Sequence, residues 1–237
     1  MEIFLNLTLV VASLLVFFVF KKMKSLISWR GGVLIISSLY LLGIKFFMLS
    51  DFKSLGFRLD NIGDTLLPTI IFTMLSVAIL SVMGFKVKRF KVIKWFLSLL
   101  TLYLFFGILQ QAFFQSIITH TLNELLDNTV LAVIFSGVFY SAFHWDWKLK
   151  GFTFGFLTLL AGVVWAILFL NSPNIILLGA SHAILGSLYY FVAYKGDILE
   201  ERADFVKKRD GLGKRIKKEM NKDKERIKSG INGLRNR

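Results

Sequence analysis

Residues 95–122, WFLSLLTLYLFFGILQQAFFQSIITHTL, contain a long apolar run followed by a pair of glutamines and a third glutamine four positions later. A helix needs about 20 mostly apolar residues to cross the ~30 Å hydrocarbon core of a bilayer, and this run meets that requirement. Polar side chains inside hydrocarbon are costly and usually mark a functional site. The stretch therefore predicts a membrane-spanning helix that ends in Gln110, Gln111 and Gln115, with Phe114 beside them.

The rest of the chain has the same character, with 55 % hydrophobic residues and only 2 prolines in 237 residues. Lipid offers no partner to an unpaired backbone group, and no segment alternates like a barrel strand, so the spans must be helices. We predict an all-α polytopic membrane protein with about seven transmembrane helices in a membrane domain of residues 1–195. The predicted spans are residues 3–20, 33–50, 66–84, 93–112, 129–145, 152–170 and 175–194.

The formal net charge of +14 is unevenly distributed along the chain. Lys and Arg concentrate in the first, third and fifth links between spans, whereas the second, fourth and sixth links carry few cations. By the positive-inside rule the N-terminus lies outside and the C-terminus lies in the cytoplasm. Because there is no cysteine, disulfides, thiolate metal ligands and a cysteine nucleophile are excluded.

The tail of residues 196–237 is basic, and its apolar residues recur at spacings of 3, 4 or 7. This pattern predicts a cytoplasmic basic amphipathic helix. One interpretation is a helix that lies on anionic lipid, and the others are a solvated helix or a homotypic coiled coil. We expect no nucleic acid partner, because no aromatic residues interleave with the basic ones.

Two later spans each carry a histidine. His144 follows Tyr140 by one helical turn near the end of the fifth predicted span, and His182 lies about two turns inside the last one, with Gly186 one turn beyond. His120 is nine residues past Gln111, on the opposite side of a helix, so we place it at the outer interface. Glutamine and histidine side chains on three spans suggest one shared internal site.

Other chemistries fit these residues less well. Two neutral imidazoles with a glutamine oxygen are too few ligands for zinc without a carboxylate or a thiolate, so we expect no metal, and no cofactor is indicated. Ser181 is adjacent to His182 and therefore faces another direction on a helix, which disfavours a serine nucleophile. His144 can act as a base, because the ordinary pKa of histidine near 6.5 suits that role.

The order of these motifs resembles the CAAX-protease and bacteriocin-processing family of intramembrane proteases, also called the Abi or type II CAAX endopeptidase family. The family pattern is Glu-Glu-x-x-x-Arg, then Phe-x-x-x-His, then His-x-x-x-Asn. The resemblance extends over residues 50–195, and both of its histidines are present, as His144 and His182. Tyr140 stands at the position of the family's Phe.

The remaining family positions differ. The glutamate pair falls on Gln110 and Gln111, the arginine on Gln115 and the asparagine on Gly186, so the chain resembles a branch with Gln-Gln in place of Glu-Glu. The resemblance implies an endopeptidase of the bacterial plasma membrane that acts on membrane-associated peptides or proteins. A glutamine amide cannot take a proton from water. The alternative is a non-catalytic scaffold or immunity-type protein that binds a membrane partner through the same cavity.

The predicted span boundaries do not bring these residues together. With a rise of ~1.5 Å per residue, Gln110 lies ~24 Å from Lys94 at the cytoplasmic entry. His144, in contrast, lies close to the cytoplasmic end of its own span. The resemblance predicts that the side chains converge, whereas the boundaries place them at different depths.

Overall fold

The computed structural model describes residues 2–22, 27–49, 51–86, 96–144 and 151–193. Within these ranges every regular element is helical, which agrees with the predicted all-α fold. The elements are α1 Glu2–Lys22, α2 Ile27–Leu49, α3 Ile62–Lys86, α4 Phe96–Gln111, a π-helix Ala112–Thr119 (the π segment), α5 His120–Leu126, α6 Thr129–His144, α7 Gly151–Asn171 and α8 Ile175–Ala193. The tail of residues 196–237, with its predicted amphipathic helix, lies outside the described residues.

Three helical stretches are long and apolar enough to cross a membrane: Ile62–Met83, Leu100–Leu126 and Thr153–Asn171. Shorter apolar helices are present at Ile3–Val16, Ile36–Phe47, Thr129–His144 and Ile175–Tyr189. Each of the seven predicted spans thus coincides with an apolar helix. That all seven cross the bilayer stays a prediction.

The predicted end of the fourth span at residue 112 is wrong. Helical structure continues from α4 through the π segment and α5 to Leu126, and the link to α6 is reduced to Asp127 and Asn128. Asp127 adopts a left-handed conformation with φ 47°, and Asn128 Oδ1 accepts the backbone N–H of Leu131 at 3.1 Å to cap α6. The residues that resembled a polar link include Thr121, which is buried among the helices.

This longer helix removes the conflict in depth between the glutamines and His144. Gln111 precedes Asp127 by 16 residues, and His144 follows Asn128 by 16 residues, so both lie the same number of residues from the turn of one antiparallel hairpin. Hairpin geometry therefore places the two side chains at the same level.

Close glycine crossings hold the neighbouring helices against this hairpin. A Cβ on Gly107 of α4 would lie 2.6 Å from the carbonyl oxygen of Gly179 of α8, and a Cβ on Gly162 of α7 would lie 2.8 Å from Tyr140 Cβ of α6. Small residues allow helix backbones to approach closely in a membrane. Both crossings lie within about one turn of a predicted site residue.

The link between α2 and α3 packs onto the start of α8. Gly56 has φ 83°, its carbonyl oxygen accepts the N–H of Ile175 at 2.9 Å, and a Cβ there would lie 2.9 Å from Ile175 Cγ1. Asn174 Nδ2 donates to Asn61 Oδ1 at 2.8 Å. These bonds join the α2–α3 link to the α7–α8 turn.

Candidate functional site

The four side chains predicted to be catalytic meet in the interior. Gln110 Oε1 lies 3.1 Å from His144 Nε2, and Gln111 Nε2 lies 3.3 Å from His182 Nδ1. The two imidazole centroids are 6.1 Å apart. The glutamines come from α4, and the histidines come from α6 and α8, so three helices form one cluster of amides and imidazoles (the amide–imidazole cluster). The catalytic role of these residues stays a prediction.

Tyr140 lies between the two histidines. Its ring stacks on His144 with centroids 4.3 Å apart, and its hydroxyl is 3.4 Å from both ring nitrogens of His182. Phe114, from the π segment, packs edge-on against Tyr140 at 4.8 Å and lies 6.1 Å from His144. Tyr140 and Phe114, two of the four predicted lining residues, therefore contact the histidines of the cluster.

The hydrogen bonds of His144 define its tautomer. Its Nδ1 lies 2.8 Å from the carbonyl oxygen of Tyr140, and a carbonyl oxygen can only accept, so Nδ1 carries the hydrogen. Nε2 faces a second oxygen, Gln110 Oε1 at 3.1 Å, and a neutral ring can donate from only one nitrogen. A neutral His144 therefore requires the Gln110 amide to be flipped, so that its NH₂ group donates to Nε2. The oxygen and nitrogen of an amide are interchangeable by a flip of the side chain. The Gln110 amide thus lies against Nε2, the ring nitrogen with which a neutral His144 would accept a proton.

Gln111 supplies the one unsatisfied acceptor among the four predicted catalytic residues. Its side chain is 0 % exposed, and its Oε1 has no hydrogen-bond partner among the described residues. A buried polar atom without a partner costs about 1–3 kcal/mol. The oxygen is therefore ready to accept a hydrogen bond from a bound water or from an N–H group of a ligand.

The two other predicted lining residues have different surroundings. Gln115 is buried, and its Oε1 accepts the hydroxyl of Thr119 at 2.8 Å within the π segment. A Cβ on Gly186 would lie 2.8 Å from Tyr103 Cε1 and 3.7 Å from His182 Cδ2. The Tyr103 ring thus occupies the space into which a larger side chain at position 186 would extend.

The π segment begins directly after Gln111, and all eight of its residues are buried. Long π-helices are rare, and short ones occur frequently at functional sites. The Thr119 hydroxyl shares its hydrogen between Gln115 Oε1 and the carbonyl oxygen of Phe114, five residues earlier, at 2.8 and 2.9 Å. Nothing in the sequence pattern signalled this helix type.

Sequence reasoning also missed Trp165. Its indole ring stacks on His182 with centroids 5.1 Å apart and an interplanar angle of 14°, and it meets Tyr140 edge-on at 5.3 Å. The available signal was a tryptophan in the middle of an apolar span, because a buried indole N–H needs an acceptor.

A second polar cluster lies apart from this one. Lys45, whose side chain is 0 % exposed, pairs with Glu124 and donates to Asn6 Oδ1 at 3.2 Å. His120 Nδ1 lies 3.2 Å from Glu124 Oε1. Glu124 falls in the link between the predicted spans 93–112 and 129–145, on the outer side of the membrane. That placement is wrong, because Glu124 lies within α5 and pairs with a buried cation of α2. In the part of the chain that the structure describes, no three His, Cys, Asp or Glu residues are grouped to hold a metal.

The fold and the site define a helical membrane protein with a polar cluster of glutamines and histidines inside the bundle. Residues 92–188, which contain all four of the predicted catalytic residues, match the family model described as type II CAAX prenyl endopeptidase Rce1-like. This match confirms the family resemblance. No curated protein and no solved structure matches the chain. The match and the apolar helices indicate an integral membrane protein related to intramembrane proteases.

Proposed function

We propose that this protein is an intramembrane endopeptidase of the CAAX type that acts on membrane-associated peptides or proteins. The observation that carries the proposal is the convergence of Gln110 with His144 and of Gln111 with His182 within the region that matches the endopeptidase family. Placing polar side chains from three helices in hydrocarbon is energetically costly, so residues of this kind usually have a functional role.

The chemistry of the cluster suits the recognition of a peptide bond. Gln111 Oε1 accepts the peptide N–H, while the Tyr140 hydroxyl donates to the peptide carbonyl oxygen. A neutral peptide needs no charged partner, and the four predicted catalytic side chains are amides and imidazoles. Binding of this kind gives the unsatisfied oxygen of Gln111 the partner that it lacks.

In hydrolysis at this site the proton of the attacking water goes to an imidazole, because a glutamine amide cannot accept it. A water proton passes to His144 Nε2 once the Gln110 amide turns away, and the water oxygen bonds to the peptide carbonyl carbon. The imidazolium then returns the proton to the leaving amine as the C–N bond breaks. General base catalysis by histidine contributes typically 10²–10⁴-fold.

Orientation and partners belong to the same proposal. The distribution of Lys and Arg supports an N-terminus outside a bacterial plasma membrane and a C-terminus in the cytoplasm. The partners are the lipid bilayer, a membrane-associated peptide or protein substrate, and anionic lipid at the basic tail.

The test uses the purified protein in bicelles with lipid-anchored peptides, with cleavage measured by mass spectrometry. We expect cleavage that is lost in His144→Ala and in His182→Ala. His120→Ala is the matched control, because His120 lies in the other polar cluster, and it should keep the wild-type rate. Cleavage that survives both changes would exclude the proposed site.

The contact of Gln110 with His144 Nε2 favours a second, non-catalytic function. Gln110 lies 3.1 Å from that nitrogen, and neither it nor Gln111 can replace a carboxylate base. A non-catalytic scaffold or immunity-type protein would bind a membrane partner in the same cavity without cleaving it. A partner that co-purifies intact, with no turnover in the wild type, supports this function, whereas robust turnover excludes it.

A further inference from the structure

Trp165 presents a nearly parallel ring face to His182, with centroids 5.1 Å apart. The indole is 2 % exposed and is packed edge-on by Phe72 of α3 at 5.8 Å and by Tyr140 of α6 at 5.3 Å. His182 lies 3.3 Å from the Gln111 amide on another side. The plane of the indole therefore limits the orientation that the imidazole can adopt.

A chain of buried hydrogen bonds holds that indole. Trp165 Nε1 donates to Ser181 Oγ at 3.2 Å, and Ser181 Oγ is hydrogen-bonded to Thr73 Oγ1 at 2.7 Å. Thr73 Oγ1 is also bonded to the Thr69 carbonyl oxygen at 2.7 Å. The Thr73 hydroxyl is the donor to Ser181 Oγ, and its single hydrogen is shared with the Thr69 carbonyl oxygen. Because an indole N–H can only donate, Ser181 Oγ accepts from both Trp165 and Thr73 and so links α7 to α3.

We propose that Trp165, fixed by the Ser181–Thr73 hydrogen-bond chain, is a positioning residue that sets the ring plane of His182 and directs its nitrogens towards Gln111 and Tyr140. The chain joins α3 and α7 to the histidine of α8, so a hydroxyl on α3 acts on a ring that it does not touch. Ser181 thereby has a role other than that of a nucleophile. The consequence for catalysis rests on the proposed function, whereas the placement of the ring does not.

Nuclear magnetic resonance of histidine-labelled protein in detergent micelles tests this placement directly. The chain has 3 histidines, so His→Ala variants assign each ring signal. We expect the ring protons of His182 to be shifted upfield by the stacked indole, and this shift to be reduced in Trp165→Phe, whose smaller ring lacks the N–H that bonds to Ser181. Thr73→Val removes only the hydroxyl and should reduce the shift, while Thr73→Ser should restore it.

Thr158→Val is the control for loss of a half-buried hydroxyl on α7, the helix of Trp165, because among the described residues the Thr158 hydroxyl bonds to backbone carbonyls of its own helix. It should leave the His182 signal unchanged. If Trp165→Phe fails to fold, Ser181→Ala provides the same comparison. A His182 signal that is identical in the wild type, Thr73→Val and a folded Trp165 or Ser181 variant overturns the proposal.

Activity separates this inference from the proposed function. If the peptide is cleaved, Thr73→Val should lower kcat and leave KM unchanged, because the substrate contacts remain in place. If no peptide is cleaved but the ring signals change as expected, positioning holds and the endopeptidase function fails.

Discussion

Gly107 and Gly179 pack backbone against backbone: a Cβ on Gly107 would lie 2.6 Å from the Gly179 carbonyl oxygen. Gly107 is one turn before Gln111, and Gly179 is three residues before His182. The distance between the Gln111 amide and the His182 ring, 3.3 Å, therefore depends on how closely α4 approaches α8. Glycine at these two positions links helix packing to the geometry of the site.

Gly107→Ala should separate these helices. Overpacking of a close contact costs typically 1–3 kcal/mol, and here the added methyl meets backbone that cannot rotate away. We expect a lower midpoint of thermal unfolding in detergent, together with a changed His182 ring signal. Gly43→Ala is the control, because nothing lies within 4 Å of a Cβ there. Equal midpoints for the two variants would show that the crossing is looser than described.

Lys45→Met should destabilise the protein by about 3 kcal/mol, because removing one partner of a buried ion pair leaves the other charge uncompensated. The side chain of Glu124 is 24 % exposed, which lowers this cost through residual hydration. The double variant Lys45→Met with Glu124→Gln should be more stable than Lys45→Met alone. Denaturant unfolding of the wild type, the single variants and the double variant measures the coupling. Strictly additive losses contradict the pairing.

Restoring two acids, with Gln110→Glu and Gln111→Glu together, should raise peptide hydrolysis by roughly 100-fold, because a carboxylate near His144 supplies a general base. Gln115→Glu is the control: that amide oxygen accepts from Thr119 inside the π segment, so a carboxylate there should give no gain. The rate of cleavage of a lipid-anchored peptide is the measurement. An unchanged rate in a folded double variant means that the amides are not what limits hydrolysis.

The α2–α3 link should be insensitive to pH from 8 to 5. The guanidinium of Arg58 and the ammonium of Lys53 hold the pKa of Asp60 well below its usual range. A lowered pKa gives stabilisation that is fully present above the unfolded pKa, about 3.9, and lost as pH falls through the folded value. The amide signal of Gly56 should therefore move only under strongly acidic conditions. Asp60→Asn should reduce that movement, with the remainder due to Asp51, which accepts the backbone N–H groups of Lys53 and Ser54. A transition near pH 6 contradicts this assignment.

The apolar helices were predictable because each carries a long uninterrupted hydrophobic run, as in Thr153–Asn171. The boundary after residue 112 was not, because Thr119, His120 and Glu124 have the composition of a link. Their polar groups are accommodated by contacts from distant segments, such as the buried Lys45 for Glu124. Sequence spacing carries no information about such partners.

The candidate site, too, was only partly predictable from the sequence. The order of the motifs identified Gln110, Gln111, His144 and His182. It could not place them at one depth, because the predicted fourth span ended at residue 112, whereas the hairpin turn lies at residues 127–128. Trp165 was missed because an aromatic residue in an apolar span is usually core. The positioning role that we propose for it depends on a hydrogen bond to Ser181, 16 residues along the chain, which no motif encodes.

We propose that the amide–imidazole cluster binds a peptide inside the bundle, whether or not the peptide is cleaved. The most direct measurement is a titration of the histidine-labelled wild type with a lipid-anchored peptide, followed by nuclear magnetic resonance of its 3 histidine rings. We predict saturable shifts of the His144 and His182 signals with no change at His120. Saturable binding that leaves His144 and His182 unmoved, or that shifts His120 alone, would contradict the claim.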